Sequence, residues 1–351
     1  MVLLASPSTT FVLPPELSAT EPPEERGLAR DGVKLLVAEP GEIRHARFQD
    51  LPRFLRAGDL VVVNTSRTLP AAVEGIRRGD CALVVHFSTA LEDGTWVVEL
   101  RAQDGSGPLL DGRRAEAITL PGGATLTLLR PRSDPALEAG VRLWQARLSW
   151  MTGVESYLAR YGRPITYGYL RGRWDLAAYQ TIFGRELGSA EMPGAGRPFT
   201  NALVTELVTE GVVLAPVLLH AGVSSLEAKE LPPAERFRVP EATARLVNHT
   251  RENGGRVVAV GTTVTRALET VASPDGSVRP AEGWTELVLG PQHPARTVDG
   301  LITGWHPPGA SHLLLLEAVA GPRLVQEAYA AARENGYLWH EFGDSALLLP
   351  A

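Results

Sequence analysis

A change in secondary-structure pattern along the chain constrains the fold most. Residues 71–150 contain the short strand patterns CALVVHFS, TWVVELRA, AITLPG, ATLTLLRP and VRLWQARLSW, separated by Gly, Asp and Pro clusters with no helical period between them. Short strands at this spacing predict a small barrel or sandwich, and we interpret the segment as a separate β domain. From about residue 154, helix and strand patterns alternate, which predicts an α/β layer with a mixed or parallel sheet.

Individual elements of the α/β layer follow from hydrophobic period. Residues 33–39 (VKLLVAE), 59–65 (DLVVVNT), VVLAPVLLH, RVVAVG and GLITGWH read as strands. NALVTELVTEG, EATARLVNHTRENGG, TVTRALETVA, SHLLLLEAVAG and LVQEAYAAARENG read as helices. FQDLPRFLRAGD is expected to be a short helix closed at Gly58.

Composition and missing motifs exclude several classes of protein. The net charge of −6 gives no global basic field, which disfavours non-specific nucleic-acid binding but leaves room for a local site. No run approaches 18 apolar residues and the N-terminus lacks a basic segment, so we expect neither a membrane span nor a signal peptide. Cys81 is the only cysteine, which favours a cytoplasmic protein. No lysine precedes Ser or Thr, so there is no P-loop, and GAGRPF places Phe199 where a dinucleotide-binding loop needs its third glycine.

Polar residues follow three predicted strands, at the end of an α/β sheet where ligands bind. They are His220, Thr262, Thr263, Arg266, Glu269 and His306. Thr262 or Thr263 can cap a helix whose free amides favour a carboxylate or phosphate, with Arg266 one turn further. The alternative is a capped structural helix with an internal Arg266–Glu269 pair.

The histidines allow two interpretations. His306, before PPG at a strand end, could carry a proton, or it could be a hydrogen-bonded structural residue, and the same holds for His220. His306 and His312 are six residues apart, a spacing that suits neither a helix face nor a strand face for zinc, so we predict no metal site.

Residues 157–180 interleave Arg160, Arg163, Arg171 and Arg173 with four tyrosines before Trp174. Such a mixture can clamp a nucleic-acid backbone and stack bases. A solvated amphipathic connector is the alternative.

Seven of these segments, in order and over nearly the whole chain, resemble the S-adenosylmethionine:tRNA ribosyltransferase-isomerase family of queuosine biosynthesis. They are AGDLVVVNTSRTLPA, AYQTIF, AGRPFT, LLHAG, RVVAVGTTVTRALE, VDGLITGWHPP and FGDSALLL. The resemblance implies an α/β domain interrupted by a β-barrel domain, here residues 1–70 with 151–351 and residues 71–150. It also implies transfer of the ribosyl part of S-adenosylmethionine to the aminomethyl group of a 7-deazaguanine in tRNA, with release of adenine and methionine.

The resemblance, together with the strand-end positions, gives the predicted site. The candidates for proton transfer, left unranked, are His220, His306, Glu269 and Asp344. The residues expected to bind S-adenosylmethionine are Gly261, Thr262, Thr263, Arg266, Tyr179 and Gln180. Those expected to bind the acceptor are Asn64, Arg67, Arg197, Thr200, Arg171 and Arg173. We expect S-adenosylmethionine as co-substrate, no metal, tRNA as partner, no membrane, and a monomer or dimer.

Departures from the family pattern fall in the same segments. Where the family has NDTRVIPAR, TAGLHFT and TNFHLPKSTLL, this chain has NTSRTLPAA, GAGRPFT and TGWHPPGASHLL. A histidine is thus replaced by Pro198, a lysine is lost, and Phe342 replaces a tyrosine. Three hypotheses stay open: the family reaction on tRNA, S-adenosylmethionine chemistry on another acceptor, and a catalytically silent module that binds a nucleoside or RNA.

Overall fold

A computed structural model of the chain describes residues 6–132, 140–224, 233–290 and 292–350. The described residues form six α-helices and seventeen β-strands. The helices are α1 (Val154–Tyr161), α2 (Asn201–Thr209), α3 (Glu241–Glu252), α4 (Thr262–Thr270), α5 (Ser311–Ala320) and α6 (Pro322–Glu334). The strands are β1 (Lys34–Glu39), β2 (Glu42–Arg47), β3 (Leu60–Asn64), β4 (Ser66–Thr68), β5 (Ala72–Arg77), β6 (Cys81–Ala90), β7 (Trp96–Ala102), β8 (Ala117–Leu120), β9 (Ala124–Pro131), β10 (Leu143–Ser149), β11 (Glu186–Ser189), β12 (Val213–Leu219), β13 (Glu235–Val239), β14 (Val257–Val260), β15 (Ala281–Thr285), β16 (Gly300–Gly304) and β17 (Ser345–Leu348).

Nine strands form one mixed sheet in the order β15-β13-β12-β3-β14-β16-β17-β1-β2. The neighbours β12, β3, β14 and β16 are parallel, so their carboxyl ends meet at one edge of the sheet. β17 runs antiparallel to β16, and Gly304 at the end of β16 lies opposite Ser345 at the start of β17. Asp344 therefore reaches the same edge as the residues that follow β14 and β16.

Both faces of this sheet are covered, because successive residues of its strands alternate between two cores. Leu36 of β1 belongs to a core with α3, α4, α5 and α6, whereas Leu35 belongs to a core with α2 and Phe199. A strand covered on both sides has no solvent face, which explains why the central strands read as continuous apolar runs.

The segment of short strands folds into a closed six-stranded antiparallel barrel in the order β10-β7-β6-β5-β8-β9. Its interior is filled by apolar side chains such as Val85, Phe87, Val98 and Leu126. The predicted fold class, an α/β main domain with a mixed sheet interrupted by a small β-barrel, is confirmed. The barrel strands run from Ala72 to Ser149, and the domain limits at 70/71 and 150/151 stay a prediction.

Some elements differ from the sequence-based expectation. The short helix expected over FQDLPRFLRAGD is a 3-10 helix, Phe48–Phe54, which contains Pro52 and ends before Gly58. The edge strands β2 and β15, and β13 next to β15, were not predicted, since they lack the long apolar runs of the central strands. Within the described part of the chain, no helix has both the length and the apolar character needed to cross a membrane.

Candidate active site

A cavity of about 410 Å³ opens at the carboxyl edge of the parallel strands, within the range of ~300–1,000 Å³ typical of small-molecule sites. One wall consists of residues 221–224 after β12, 261–263 after β14 and 303–307 at the end of β16. Residues 191–195 and 340–345 also line the cavity, the latter from the segment that leads into β17 beside β16. Two of the three predicted strand ends thus contribute their polar residues directly to one cavity.

The junction between β14 and α4 presents a helix N-terminus to the cavity. Gly261 is the N-cap, with φ at +91°, and neither Thr262 nor Thr263 caps the helix through its side chain, contrary to the expectation. A Cβ at Gly261 would lie 3.3 Å from the Cβ of Ala195, so the left-handed backbone and the close loop both require glycine. The first amides of α4 therefore keep their capacity to bind an anionic group.

Arg266 lines the same cavity, and its guanidinium is held by protein groups. It donates to the Glu235 carboxylate and to the carbonyl oxygens of Leu287 (3.1 Å) and Thr285 (3.3 Å). Burial raises the pKa of Glu235, while Arg266 favours its ionised form. The alternative of an Arg266–Glu269 pair is wrong, because Arg266 pairs with a residue of β13 instead.

Glu269 lies outside the lining of the cavity and binds the backbone of another segment. Its carboxylate accepts hydrogen bonds from the amides of Arg296 (2.9 Å), Thr297 (2.8 Å) and Val298 (3.0 Å). These bonds fasten the segment that leads into β16.

We expect Glu269→Gln to lower the free energy of unfolding by about 2 kcal/mol, because an NH₂ group would face amide donors that now bind a carboxylate. Urea unfolding would measure the loss, with the exposed Glu252→Gln as control. The affinity for S-adenosylmethionine, the co-substrate expected from the family resemblance, should stay within twofold in calorimetry. A stable variant that loses turnover a hundredfold would instead return Glu269 to the catalytic candidates.

His306 faces the cavity from the loop after β16. Its Nε2 lies 3.1 Å from Thr303 Oγ1, and its ring stacks on His312 with centroids 4.5 Å apart. Its backbone amide donates to Tyr329 Oη, and its carbonyl accepts from the indole of Trp339. Burial lowers the pKa of His306 well below 6.5, with His312 and His340 adding to the effect. The residue is thus a fixed, neutral imidazole.

Asp344 also lines the cavity, although both carboxylate oxygens have backbone partners. They accept from the amides of Lys34 (2.7 Å) and Leu338 (2.8 Å). Burial raises the pKa of Asp344, although the two hydrogen bonds act to lower it. The carboxylate therefore ties β1 to the segment before β17 at the edge of the cavity.

The departure at Arg197-Pro198 has a structural counterpart. Arg197 is 3% exposed, donates to Glu24 and to the carbonyl of Ala178, and stacks its guanidinium 4.9 Å from the ring centre of Phe342. Thr200, expected to bind the acceptor, instead caps α2 by accepting from the amide of Leu203 and lies outside the linings of both cavities. Arg197 and Phe342, both departures from the family pattern, are therefore in contact.

Two tyrosine–carboxylate pairs line the cavity and were not predicted. Tyr167 donates to Glu191, which also accepts from the amide of Ser224, and Tyr169 donates to Glu341. Burial raises the pKa of Glu341 to about 7. The sequence signal that could have pointed to these pairs is the Tyr-Gly-Tyr spacing within an otherwise arginine-rich segment.

Other predicted residues lie beside the cavity rather than in its lining. His220 Nδ1 is 2.8 Å from Ser66 Oγ, and burial lowers the pKa of this histidine to about 4. Asn64 bonds both backbone groups of Leu219. Tyr179 is buried, and Gln180 bonds the backbone of Thr68. These contacts support the loops that form the cavity.

A second cavity, of about 640 Å³, lies near the barrel junction and includes Arg67, Arg163, Arg173 and Trp174 in its lining. Arg171 is exposed and lies outside both linings. Of the four tyrosines interleaved with these arginines, Tyr157 and Tyr161 pack against Trp150, and the other two face the first cavity. The arginine–aromatic surface is therefore limited to the surroundings of Trp174.

No group of three or more His, Cys, Asp or Glu side chains placed to hold a metal ion occurs among the described residues.

Comparisons with known proteins agree along nearly the whole chain. A family model described as queuosine biosynthesis protein matches residues 7–348. The chain is 36% identical to the S-adenosylmethionine:tRNA ribosyltransferase-isomerase of Moorella thermoacetica, over 97% of this chain and 98% of that protein. It is also 36% identical to the protein of the same name from Acidiphilium cryptum, over 96% and 97%. The solved structure of S-adenosylmethionine tRNA ribosyltransferase from Thermotoga maritima is 27% identical, covers 97% of this chain and 99% of that one, and superposes with a TM-score of 0.53.

Proposed function

The chain belongs to the queuosine biosynthesis protein family, and on this premise we propose that it is an S-adenosylmethionine-dependent tRNA ribosyltransferase-isomerase. The reaction moves the ribosyl part of S-adenosylmethionine to the aminomethyl group of a 7-deazaguanine in tRNA and releases adenine and methionine. A tRNA substrate supports a cytoplasmic location for the reaction.

The observation that carries the proposal is the joint placement of an anion-binding helix end and a neutral imidazole in one cavity. The amides of Thr262 and Thr263 suit the carboxylate of the methionine part, whereas the amide of Gly261 is already donated to the carbonyl of Ile302. Arg266 adds a positive charge behind them, although Glu235 offsets part of it. His306 is a base for the proton on the carbon beside the sulfonium, because its imidazole is neutral and fixed.

The second cavity suits the RNA. Arg67 and Arg173 are exposed and line this cavity together with Trp174, and Arg173 forms an exposed pair with Glu74. Exposed guanidinium groups beside an indole can hold phosphates while the ring stacks on a base. Arg171 extends this basic surface, so we assign these residues to the tRNA.

One observation favours a second candidate, the same donor chemistry on a different amine. Pro198 can neither titrate nor donate a hydrogen bond, and the guanidinium of Arg197 is already bound to Glu24 and stacked on Phe342. A family histidine is thus replaced by a structural pair at the rim of the cavity, where an acceptor would enter.

The experiment measures free adenine after incubation of the protein with S-adenosylmethionine. Three arms contain tRNA with the aminomethyl-deazaguanine, tRNA with guanine at that position, or no RNA. Adenine release only in the first arm supports the proposal. Release without RNA favours the second candidate, and no adenine in any arm contradicts both.

A further inference from the structure

Two carboxylates in the main cavity are bound through side-chain hydroxyls and, like Asp344, form no ion pair among the described residues. Glu191 is bound by the hydroxyl of Tyr167 and by both the amide (3.0 Å) and the hydroxyl of Ser224, and Glu341 is bound by the hydroxyl of Tyr169. All of these partners are neutral. The two carboxylates therefore keep their negative charge uncompensated when they are ionised.

The remaining charged side chains in the lining have partners. Arg266 pairs with Glu235, and both Arg30 and Arg197 pair with Glu24. Across the described ranges 6–132, 140–224, 233–290 and 292–350, no Lys or Arg lies within ion-pair distance of Glu191 or Glu341. Since a carboxylate removed from water without a cation is unfavourable, a cationic ligand group would relieve this arrangement.

Aromatic faces surround the same carboxylates. The rings of Tyr167 and Tyr169 stack with centroids 6.1 Å apart, and Tyr169 stacks on His340 at 4.0 Å. The Tyr167 ring already has the Arg101 guanidinium over it, 5.4 Å from the ring centroid, so these rings support the carboxylates rather than offer a free face to a ligand. The hydroxyl hydrogens of both tyrosines are already donated, so they offer no donor to an anion. A cation is the ligand group that the two carboxylates attract.

An independent feature of this cavity, the indole N–H of Trp305 that is unpaired within the described ranges, also points to a ligand. Trp305 lines it and is 3% exposed, and its indole Nε1–H has no acceptor among the described residues. Buried donors are nearly always satisfied, so a bound molecule with an acceptor would complete the site. Within the described part of the chain, Glu191 and Glu341 thus lack a cationic partner, and the Trp305 indole lacks an acceptor. A nucleoside-like ligand with an amino group supplies both.

We propose that Glu191 and Glu341 form the receptor for an alkylammonium group of the ligands, and thereby select an amine. The inference rests on the proposed function, which offers two sources of this chemistry: the aminomethyl group of the acceptor and the amino group of S-adenosylmethionine. The tyrosines orient the carboxylates, and Ser224 fixes Glu191 from the loop after β12.

This assignment predicts a pH dependence of binding. Burial raises the pKa of Glu341 to about 7, so the carboxyl is largely neutral below that pH and ionised above it. The affinity for the ammonium should therefore rise between pH 6 and pH 8. The titratable groups that face Glu341 are Glu191, Tyr167, Tyr169, Tyr179 and His340. Burial keeps the tyrosine pKa values above this window and the His340 pKa at about 4, so neither the tyrosines nor His340 titrates within it.

The test uses Glu191→Gln, Glu341→Gln and the double variant, with the exposed Glu241→Gln as matched control and thermal unfolding as a check on folding. Calorimetry gives Kd for S-adenosylmethionine and for tRNA with and without the aminomethyl group, at pH 6 and pH 8. The double variant should bind one of the two amine ligands ~10- to 100-fold more weakly and lose the pH dependence. The affected ligand identifies the source of the ammonium.

Unchanged affinities for both ligands, within twofold, would overturn the assignment. So would a wild-type protein that binds neither amine, since no alkylammonium ligand would remain. Failure of the proposed function has a different signature, because S-adenosylmethionine could still bind in a Glu341-dependent way while tRNA yields no adenine. Tyr169→Phe keeps the carboxylate and should weaken binding less than Glu341→Gln.

Discussion

Replacement of His306 by glutamine is expected to slow adenine release by ~10²- to 10⁴-fold, the usual contribution of a positioned general base. Thr303 Oγ1 lies 3.1 Å from both the carbonyl oxygen of Gly304 and His306 Nε2. When its one hydrogen is donated to the carbonyl, His306 Nε2–H donates to Thr303 and Nδ1 keeps the free lone pair. Glutamine can keep a hydrogen bond to Thr303 but cannot take up a proton.

The pH profile distinguishes this role from a structural one. Because burial lowers the pKa of His306 well below 6.5, the base form already dominates at that pH, and loss of rate through this residue should appear only in more acidic solution. Single-turnover adenine release from pH 5 to pH 8 measures it. The exposed His249→Gln serves as control, and the affinity for S-adenosylmethionine should stay within threefold in both variants. A rate within fivefold of wild type for His306→Gln, with a larger loss for His220→Gln, would move the role to His220.

The sequence predicted the architecture well because its signals are periodic. Buried strands produce the runs of Leu60–Asn64 and Val257–Val260, and amphipathic helices produce the stripes of α2 and α3, so both appear in a single chain without tertiary information. The edge strand β2 has the exposure pattern of a partly solvated strand, with Glu42 and Arg44 on one face and Arg47 on the other. The segment is a strand because it pairs with β1, and no local sequence pattern indicates that pairing.

The site was predictable only where the fold topology gathers residues. Thr262 and His306 follow parallel neighbours in the sheet, so their meeting is a consequence of the general rule for α/β sheets. Glu269 shares a helix face with Arg266, but its carboxylate turns to the amides of residues 296–298, a partner segment that periodicity cannot identify. Glu191 and Glu341 lie in irregular loops that cross the cavity from distant parts of the chain, which is why sequence reasoning missed them.

The barrel depends on a buried charge cluster, and neutralisation of Glu99 should destabilise the protein by about 3 kcal/mol at pH 7. Glu99 is 1% exposed and accepts from Arg142 (2.7 Å) and Arg101 (3.1 Å), with His86 Nδ1 at 3.4 Å. Burial alone would raise the pKa of Glu99, but His86 and the two guanidinium groups outweigh it and lower the pKa to about 2. The difference from the ordinary value of 4.5 corresponds to roughly 3 kcal/mol, at about 1.4 kcal/mol per pH unit.

The sign of this linkage makes the prediction specific. A carboxyl whose pKa is lower in the folded state stabilises the fold above its unfolded pKa, and that stability is lost as the pH falls from about 4.5 toward 2. Glu99→Gln should therefore lie about 3 kcal/mol below wild type in urea unfolding at pH 7, and the two proteins should converge as the wild-type carboxyl is protonated. The half-exposed pair of Glu74 with Arg173 supplies the control, because Glu74→Gln should change stability by less than ~1 kcal/mol at every pH. A constant gap between Glu99→Gln and wild type from pH 7 to pH 3 would mean that lost packing, rather than the carboxylate charge, explains the effect.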